Sequence, residues 1–548
     1  MVANRQAREE RPAEAATFDA IVVGAGFAGM YMLHRLRGLG FSARVFEAGG
    51  GVGGTWYWNR YPGARCDVES LQYSFSFSEE LDQEWNWSEK YSPQPEILSY
   101  ANHVADRFDL RPLIAFETRV VSARFDETAD RWRVTTDRGD ELMARFVVMA
   151  TGCLSTPRKP PIPGVDDFAG RTYHTGAWPH EGVDFTGQRV AVIGTGSSAI
   201  QSIPQIARQA EHVTVFQRTA NYSVPANNTP LTQKDIDDFW KLYPDYMALV
   251  KGPGMGFGAN PANALPEDPA VRRARYEELW GVGGAGFLAA WGNLLTDIDV
   301  NTEAADFVRE KIGQTVSDPK TAAALQPNDH PIGTKRICVD IDYYETYNRP
   351  NVTLVNLKQT PIEAIEAGGV RTAEATYAAD AMVFATGFDA MTGTLLAIDI
   401  RGAGGATLKD AWSEGPKAYL GLAVAGLPNL FIITGPGSPS VLSNMINSIE
   451  QHVEWIIDCV DHMRREGFSR IEADAETQEQ WVGHVRRVAD KTLFPRAASW
   501  YMGANIPGKP RVFMPYIGAG YRKKCQDVAA AGYEGFRLSK ERADVHAA

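Results

Sequence analysis

Two short runs in this chain have the residue types and spacing of a phosphate cradle. Gly24, Gly26 and Gly29 form one G-x-G-x-x-G loop; Gly194, Gly196 and Ala199 form a second, with alanine in its last place. The first glycine permits a tight turn, the second lets backbone approach a pyrophosphate, and the third lets helix pack on strand. Phe27 in the first loop, and Thr195, Ser197 and Ser198 in the second, stand at the helix starts where N–H groups point at an anion. At the same spacing after each first glycine (24 to 47, 194 to 217) stands the residue that meets the ribose. Glu47 offers a carboxylate to ribose hydroxyls, which would repel a 2′-phosphate. Neutral Gln217, followed by Arg218 and Thr219, offers a cation and donors instead. The second loop, with Gln201 on its helix, therefore reads as an NADP(H) site, and the first as an FAD site.

The elements that must position these loops are legible. Residues 18–23 are an apolar strand, the first loop opens a helix through Leu36, and 42–46 is the next strand. Residues 189–193, the second loop and 213–216 repeat that order. Residues 147–152 and 382–387 each end a buried strand in Ala-Thr-Gly, which predicts passages between the two nucleotide folds near 155–190 and 387. The expected class is α/β: two Rossmann-like dinucleotide-binding domains (FAD and NADP), the NADP domain inserted in the FAD domain, with a helical insertion. The expected bounds are a disordered lead-in at 1–17, an FAD-binding domain at 18–160 and 388–548, an NADP-binding domain at 161–225 and 331–387, and a helical insertion at 226–330. Glycine hinges are expected at 252–258 and 281–286, an amphipathic helix at 448–465, and a loose tail after Arg537. The stretch from Phe168 to Pro179, broken by Gly170 and Gly176, keeps no apolar period and reads as neither helix nor strand.

Bulk properties narrow the field. A chain of 548 residues is too long for one core. The formal charge of −12 argues against a general nucleic-acid binder. No apolar run is long enough to span a membrane, and the polar N-terminus lacks the apolar core of a signal peptide. The five cysteines are scattered without a C-x-x-C, so neither a zinc site nor a redox pair is indicated. A reducing cytoplasm is the expected location, and no metal is expected.

Phe168-x-Gly170-x-x-x-His174-x-x-x-Trp178-Pro179 resembles the signature of Baeyer–Villiger monooxygenases, and it lies between the two glycine loops as that family requires. Residues 53–67, 334–337, 435–445 and 500–508 also look like family segments. Within the family the chain is most similar to the phenylacetone and steroid monooxygenase branch. The resemblance implies that NADPH reduces FAD and that reduced flavin takes up O₂ as a C4a-peroxide. That peroxide attacks a ketone, and the tetrahedral Criegee adduct rearranges to an ester or lactone. It implies aryl, cyclic or polycyclic ketones as substrates. No nucleic-acid or membrane partner is expected, and the chain is expected to be a monomer or weak oligomer. Arg336 matches the active-site arginine, a cation at every working pH. Asp67 matches the carboxylate that holds it; the bland reading of Asp67 is a cap on a helix beginning at Val68. Lys335 would reach the NADP phosphate, and Gly54, Thr55 and Trp56 would lie along FAD. Trp500 would lie near the nicotinamide nucleotide, and Leu442 and Met445 would face substrate. His174 is expected to serve the linker rather than act as a base. Two alternatives remain: a flavin monooxygenase acting on sulfur or nitrogen, and a non-catalytic NADPH-sensing flavoprotein. The first usually lacks the Asp67/Arg336 pair, and the second has no need of it.

Overall fold

The computed structural model describes residues 16–251, 265–518 and 520–540. Its first sheet runs in the order Asp399–Arg401, Val120–Asp126, Arg131–Thr136, Glu141–Met149, Ala16–Val23, Ala43–Phe46, Ile114–Ala115, and Leu430–Ile432 pairs with Glu141–Met149 as well. The centre is parallel, with Val22 opposite both Val45 and Val148. Helices and loops cover both faces there, which is why these strands are continuous apolar runs rather than alternating ones. The second sheet is ordered Val352–Asn356, His212–Gln217, Arg189–Ile193, Ala381–Phe384, Arg171–His174, parallel throughout. All five of its strands fall in sequence between Glu141–Met149 and Asp399–Arg401. One Rossmann-like body is thus inserted in the other.

The two bodies repeat one another at the bond level. Gly24 N donates to Phe46 O (2.8 Å), and Gly194 N donates to Phe216 O (3.1 Å). Ala150 N donates to Val23 O (3.0 Å), and Ala385 N to Ile193 O (2.9 Å). The two Ala-Thr-Gly strand ends therefore close on the two glycine loops. Beyond them the two passages between bodies lie side by side: Arg158 N donates to Gly387 O and Asp389 N to Thr156 O, both at 2.9 Å.

Helices Gln233–Lys251, Pro269–Val282, Ile298–Thr315 and Pro319–Leu325 make up the excursion from the second body. A short parallel pair, Ser223–Pro225 with Cys338–Asp340, closes its base and fixes the chain just after Arg336.

Several expectations are corrected. The first strand starts at Ala16, inside the expected lead-in, whose remaining residues lie outside the described ones. Arg171–His174 is a strand despite its missing apolar period, because it is the sheet's edge and two of its residues are exposed. Gly283 and Gly284 are no hinge: they end a helix at φ +78° and +79°, and a Cβ on Gly284 would meet the Tyr91 hydroxyl at 2.0 Å. The other expected hinge, 252–258, lies outside the described residues. The helix expected at 448–465 runs Met445–Glu466, because Asn444 caps it by accepting from Ile446 N (3.1 Å). The chain past Arg537 is not wholly loose, since Phe536–Ser539 pairs with Arg470–Ala473.

Candidate active site

Arg336 stands at the mouth between the two bodies. Its Nε donates to Asp67 Oδ2 at 2.9 Å, one terminal nitrogen donates to Asp67 Oδ1 at 2.7 Å, and the other to Val441 O at 2.9 Å. This fork-on-carboxylate geometry fixes the plane of the guanidinium. Burial works against the charge, but Asp67 and the Tyr501 hydroxyl beside it hold the guanidinium above its ordinary value. Tyr501 itself is pushed up to about 12 by burial, against the pull of Arg336. Asp67 caps no helix: the short turn that follows, Ser70–Gln72, is entered through Glu69. A guanidinium has five donors, so two remain after these three bonds for Tyr501 or an incoming anion.

The wall beside this cation is apolar. Val441, Tyr501, Phe494 and Met391 form a buried cluster, against which Leu442, Met445 and Trp500 pack while keeping some exposure. Trp500 lies on Tyr501 with ring centroids 4.2 Å apart. The three residues expected near nicotinamide and substrate thus pack on the cluster of Val441 and Tyr501, the two residues of it that meet Arg336.

The first glycine cradle is built for close approach. A Cβ on Gly29 would meet Gly24 O at 1.8 Å, one on Gly24 would meet Ala150 O at 2.6 Å, and one on Gly54 would meet Gly26 Cα at 2.9 Å. The helix that follows, Phe27–Gly38, has no side-chain cap, so its first N–H groups are available to an anion. Phe27 and Trp56 contribute backbone here, since their rings are core: Phe27 packs edge-on to Phe75 at 5.4 Å, and Trp56 Nε1 donates to the Tyr73 hydroxyl at 3.1 Å. Thr55 is exposed at the start of Thr55–Trp58. Glu47 is buried, its two oxygens accepting from Ala25 N and Gly49 N at 2.7 Å each. Burial raises its pKa and these N–H bonds oppose the rise. A carboxylate offers about four lone-pair sites, so room for two ribose hydroxyls remains. The cradle fits a dinucleotide with free ribose hydroxyls.

The second cradle is more open. A Cβ on Gly194 would meet Ala385 O at 2.4 Å, but one on Gly196 would meet nothing within 4 Å, and the Ser197–Gln209 helix again has no side-chain cap. Thr195 Oγ1 donates to Thr219 O (2.8 Å), joining the loop to the strand end that carries Arg218. Ser198 Oγ pairs with Thr175 Oγ1 (3.0 Å), and Ser197 Oγ lies 3.3 Å from the Cys338 sulfur. Arg218 is exposed, and neither it nor Lys335 has a carboxylate in ion-pair contact among the described residues. Burial lowers the Lys335 pKa, Asp329 opposes this, and Arg218 and Lys358 add to it. Arg158, lowered by burial and by Arg218, belongs to the same cationic patch. Asp389 acts on Arg158 in the opposite sense, and such crowding of cations, two of them without an ion pair among the described residues, fits a phosphate. Gln201 is engaged elsewhere: its Nε2 donates to Arg65 O (3.0 Å), and its Oε1 accepts from the Tyr61 hydroxyl (2.8 Å). It ties the second body to the first.

His174 has both ring nitrogens occupied. Nδ1 accepts from Gly176 N (2.9 Å), which leaves Nε2 to donate to Arg158 O (3.2 Å). Burial lowers its pKa, so it is a neutral joint at the passage between bodies. Sequence reasoning missed Tyr501, Val441 and Arg158. Tyr501 could have been found, being next to Trp500 in a segment already singled out. Val441 acts through its carbonyl and Arg158 through a fold-dependent approach to Arg218, and neither leaves a mark in sequence.

A family model described as pyridine nucleotide-disulphide oxidoreductase matches residues 21–243. A Baeyer-Villiger monooxygenase of Pseudooceanicola batsensis is 44% identical over 94% of this chain and 96% of its own length. The phenazine N-monooxygenase PhzNO1 of Lysobacter antibioticus is 42% identical over 96% of this chain and 97% of its own. An oxidized steroid monooxygenase bound to NADP superposes with a TM-score of 0.91 at 52% identity, covering 96% of this chain and all of that one. With identity at this level over nearly its whole length, a bidentate arginine–aspartate pair and two glycine cradles, the chain belongs to the Baeyer–Villiger monooxygenases, the FAD- and NADP-dependent class of flavin enzymes.

Proposed function

We propose that this protein converts ketones to esters or lactones with NADPH and O₂, and that Arg336 is its catalytic cation. The observation that carries this reading is the Arg336–Asp67 pair set beside the apolar wall of Leu442, Met445 and Trp500. Bound FAD supplies hydride acceptance and oxygen activation. The chain's own part is electrostatic and steric. Arg336 keeps a fixed positive charge and free donors where negative charge develops on oxygen, with no proton to lose at any working pH. Asp67 holds the guanidinium plane, and the Val441 carbonyl holds its far end. Leu442, Met445 and Trp500 exclude water and seat the carbon skeleton of the ketone.

The first cradle, with Gly24, Gly26, Gly29, Gly54, Thr55 and Glu47, holds FAD. The second, with Gly194–Ser198, holds NADP(H), and Arg218, Thr219 and Lys335 select its 2′-phosphate. Aryl, cyclic or polycyclic ketones suit the apolar wall. Exposed large apolar side chains are few among the described residues (Val121, Leu242, Leu249, Val271, Val282 and Ile298), which supports a monomer or weak oligomer. No described helix is long and apolar enough to cross a membrane. All five cysteines are free, which supports a reducing cytoplasm. A second reading, oxygenation at nitrogen, draws on the likeness to the phenazine N-monooxygenase. A product-mass screen with NADPH, O₂, ketones of increasing size and aromatic N-heterocycles decides between them. Ester or lactone heavier by one oxygen is the expected product; N-oxide without ester would overturn the first reading.

A further inference from the structure

A chamber of about 220 Å³ lies between the two bodies, apart from Arg336. One wall is the 71–87 segment of the first body, which contributes Trp85 and Trp87. The other is the Gln233–Lys251 helix, which turns Phe239, Trp240, Tyr243, Tyr246 and Met247 toward it. That spacing places them on one helical face. The rings pack on one another, Trp240 and Tyr243 with centroids 4.7 Å apart and Phe239 and Tyr246 5.7 Å apart. Asp82 and Asp237 line the same chamber, and no lysine or arginine is among its described lining residues. Asp82 accepts only a long bond from the Tyr243 hydroxyl, 3.4 Å. Burial, and Glu450 behind it, push its carboxyl up to about 7, as expected for a carboxylate without a countercharge. Of the polar groups on this lining, Asn447 stands against the Tyr246 hydroxyl, and the buried Trp85 Nε1 has no hydrogen-bond partner.

We propose that this chamber is a second binding site, for a small hydrophobic ammonium ion that also carries an oxygen acceptor. Aromatic faces attract a desolvated cation, and the carboxylates supply its counter-charge. The unpaired N–H of Trp85 needs an acceptor, which an ether, hydroxyl or carbonyl on the same ligand provides. An anion would meet two carboxylates, and a plain hydrocarbon would leave Trp85 unpaired and the carboxylates without a countercharge. The chamber is set apart from the Arg336 pocket by the start of the Met445–Glu466 helix, where Asn444 Nδ2 donates to Gln72 O at 2.6 Å. Met445 faces the Arg336 side and Asn447, two residues on, faces the chamber. One wall belongs to the excursion from the second body and the other to the first, so an occupant bridges them.

The test uses acetylcholine, a quaternary ammonium ester, against its neutral isostere 3,3-dimethylbutyl acetate. Both are titrated into the FAD-loaded enzyme by calorimetry and by tryptophan fluorescence. Saturable acetylcholine binding with a fluorescence change is expected, at least tenfold tighter than the isostere. Tyr243→Leu and Asp82→Asn should each weaken it at least tenfold while leaving ester formation without probe near the wild-type rate. Melting temperatures check that each variant folds, and Trp240→Leu, on the partly exposed helix, replaces whichever does not. Equal affinity for the isostere, unchanged binding in the folded variants, or no saturable binding at millimolar probe would each overturn the proposal.

Discussion

Arg336 and Asp67 lie 269 positions apart in the chain and meet as a two-bond fork, at 2.7 and 2.9 Å. Arg336→Ala should cut ester formation by about 10²–10³ or more, the scale seen when a charge-stabilising donor is removed from an active site. Bleaching of the flavin by NADPH under anaerobic conditions should proceed near the wild-type rate. Mass spectrometry of product and stopped-flow absorbance read the two arms. A variant that still makes ester at the wild-type rate would remove Arg336 from the chemistry. Asp67→Asn, which keeps shape but not charge, should fall between the two enzymes.

Among the described residues, Arg218 and Lys335 make no ion pair, and both stand at the end of the second cradle. Lys335→Ala and Arg218→Ala should each raise KM for NADPH about tenfold or more, the scale of a lost charge-assisted bond, and leave KM for NADH nearly unchanged. Steady-state kinetics with both nucleotides check this. A parallel loss with NADH would mean that the residues serve the fold rather than the 2′-phosphate.

Gly63 has φ +80°, and a Cβ there would meet Gln201 O, across the junction of the two bodies, at 2.4 Å. Gly63→Ala should therefore disturb the junction, whereas Gly29→Ala, whose Cβ would meet Gly24 O at 1.8 Å, should disturb the first cradle. The expected signatures differ. Gly29→Ala loses flavin per mole of protein by absorbance; Gly63→Ala keeps its flavin but turns over NADPH more slowly.

His452 is fully buried, with Thr434 N donating to its Nδ1 and Tyr521 within 2.8 Å of Nε2. Burial first, then Arg522, lowers its pKa from 6.5 to about 3. The folded value lies below the unfolded one, so the unfolded chain takes up the proton first. The contribution to stability is complete above about pH 6.5 and is lost as pH falls toward 3, at up to about 1.4 kcal/mol per unit. Denaturant unfolding at pH 7.5 and pH 5 should show a shallower loss for His452→Gln than for the natural chain. Equal slopes would contradict this.

Local pattern made much of this molecule readable. The glycine loops, their flanking strands and the change from Glu47 to Gln217 are contiguous features, and the two parallel βαβ starts follow from them. Arg336 and Asp67 were marked by family segments, since nothing in composition pairs residues so distant. What escaped depends on tertiary context. The Arg171–His174 strand is half exposed, so its period is absent although its backbone bonds are present. Gly283 and Gly284 look like freedom in sequence, yet Pro225 and Ala226 close on the first and Tyr91 on the second, from other segments. Gln201 stands in a phosphate-binding motif, but its amide is spent on Arg65 and Tyr61, contacts that only the packed bodies create.

The paired passages around Arg158 and Asp389 set what kind of swing the inserted body can make. Two neighbouring ribbons laced by cross-bonds resist sliding past one another and resist twisting, but they bend readily across their shared width. Such a joint is a leaf hinge, with one soft axis. A swing of the inserted body about such a joint would follow a single arc.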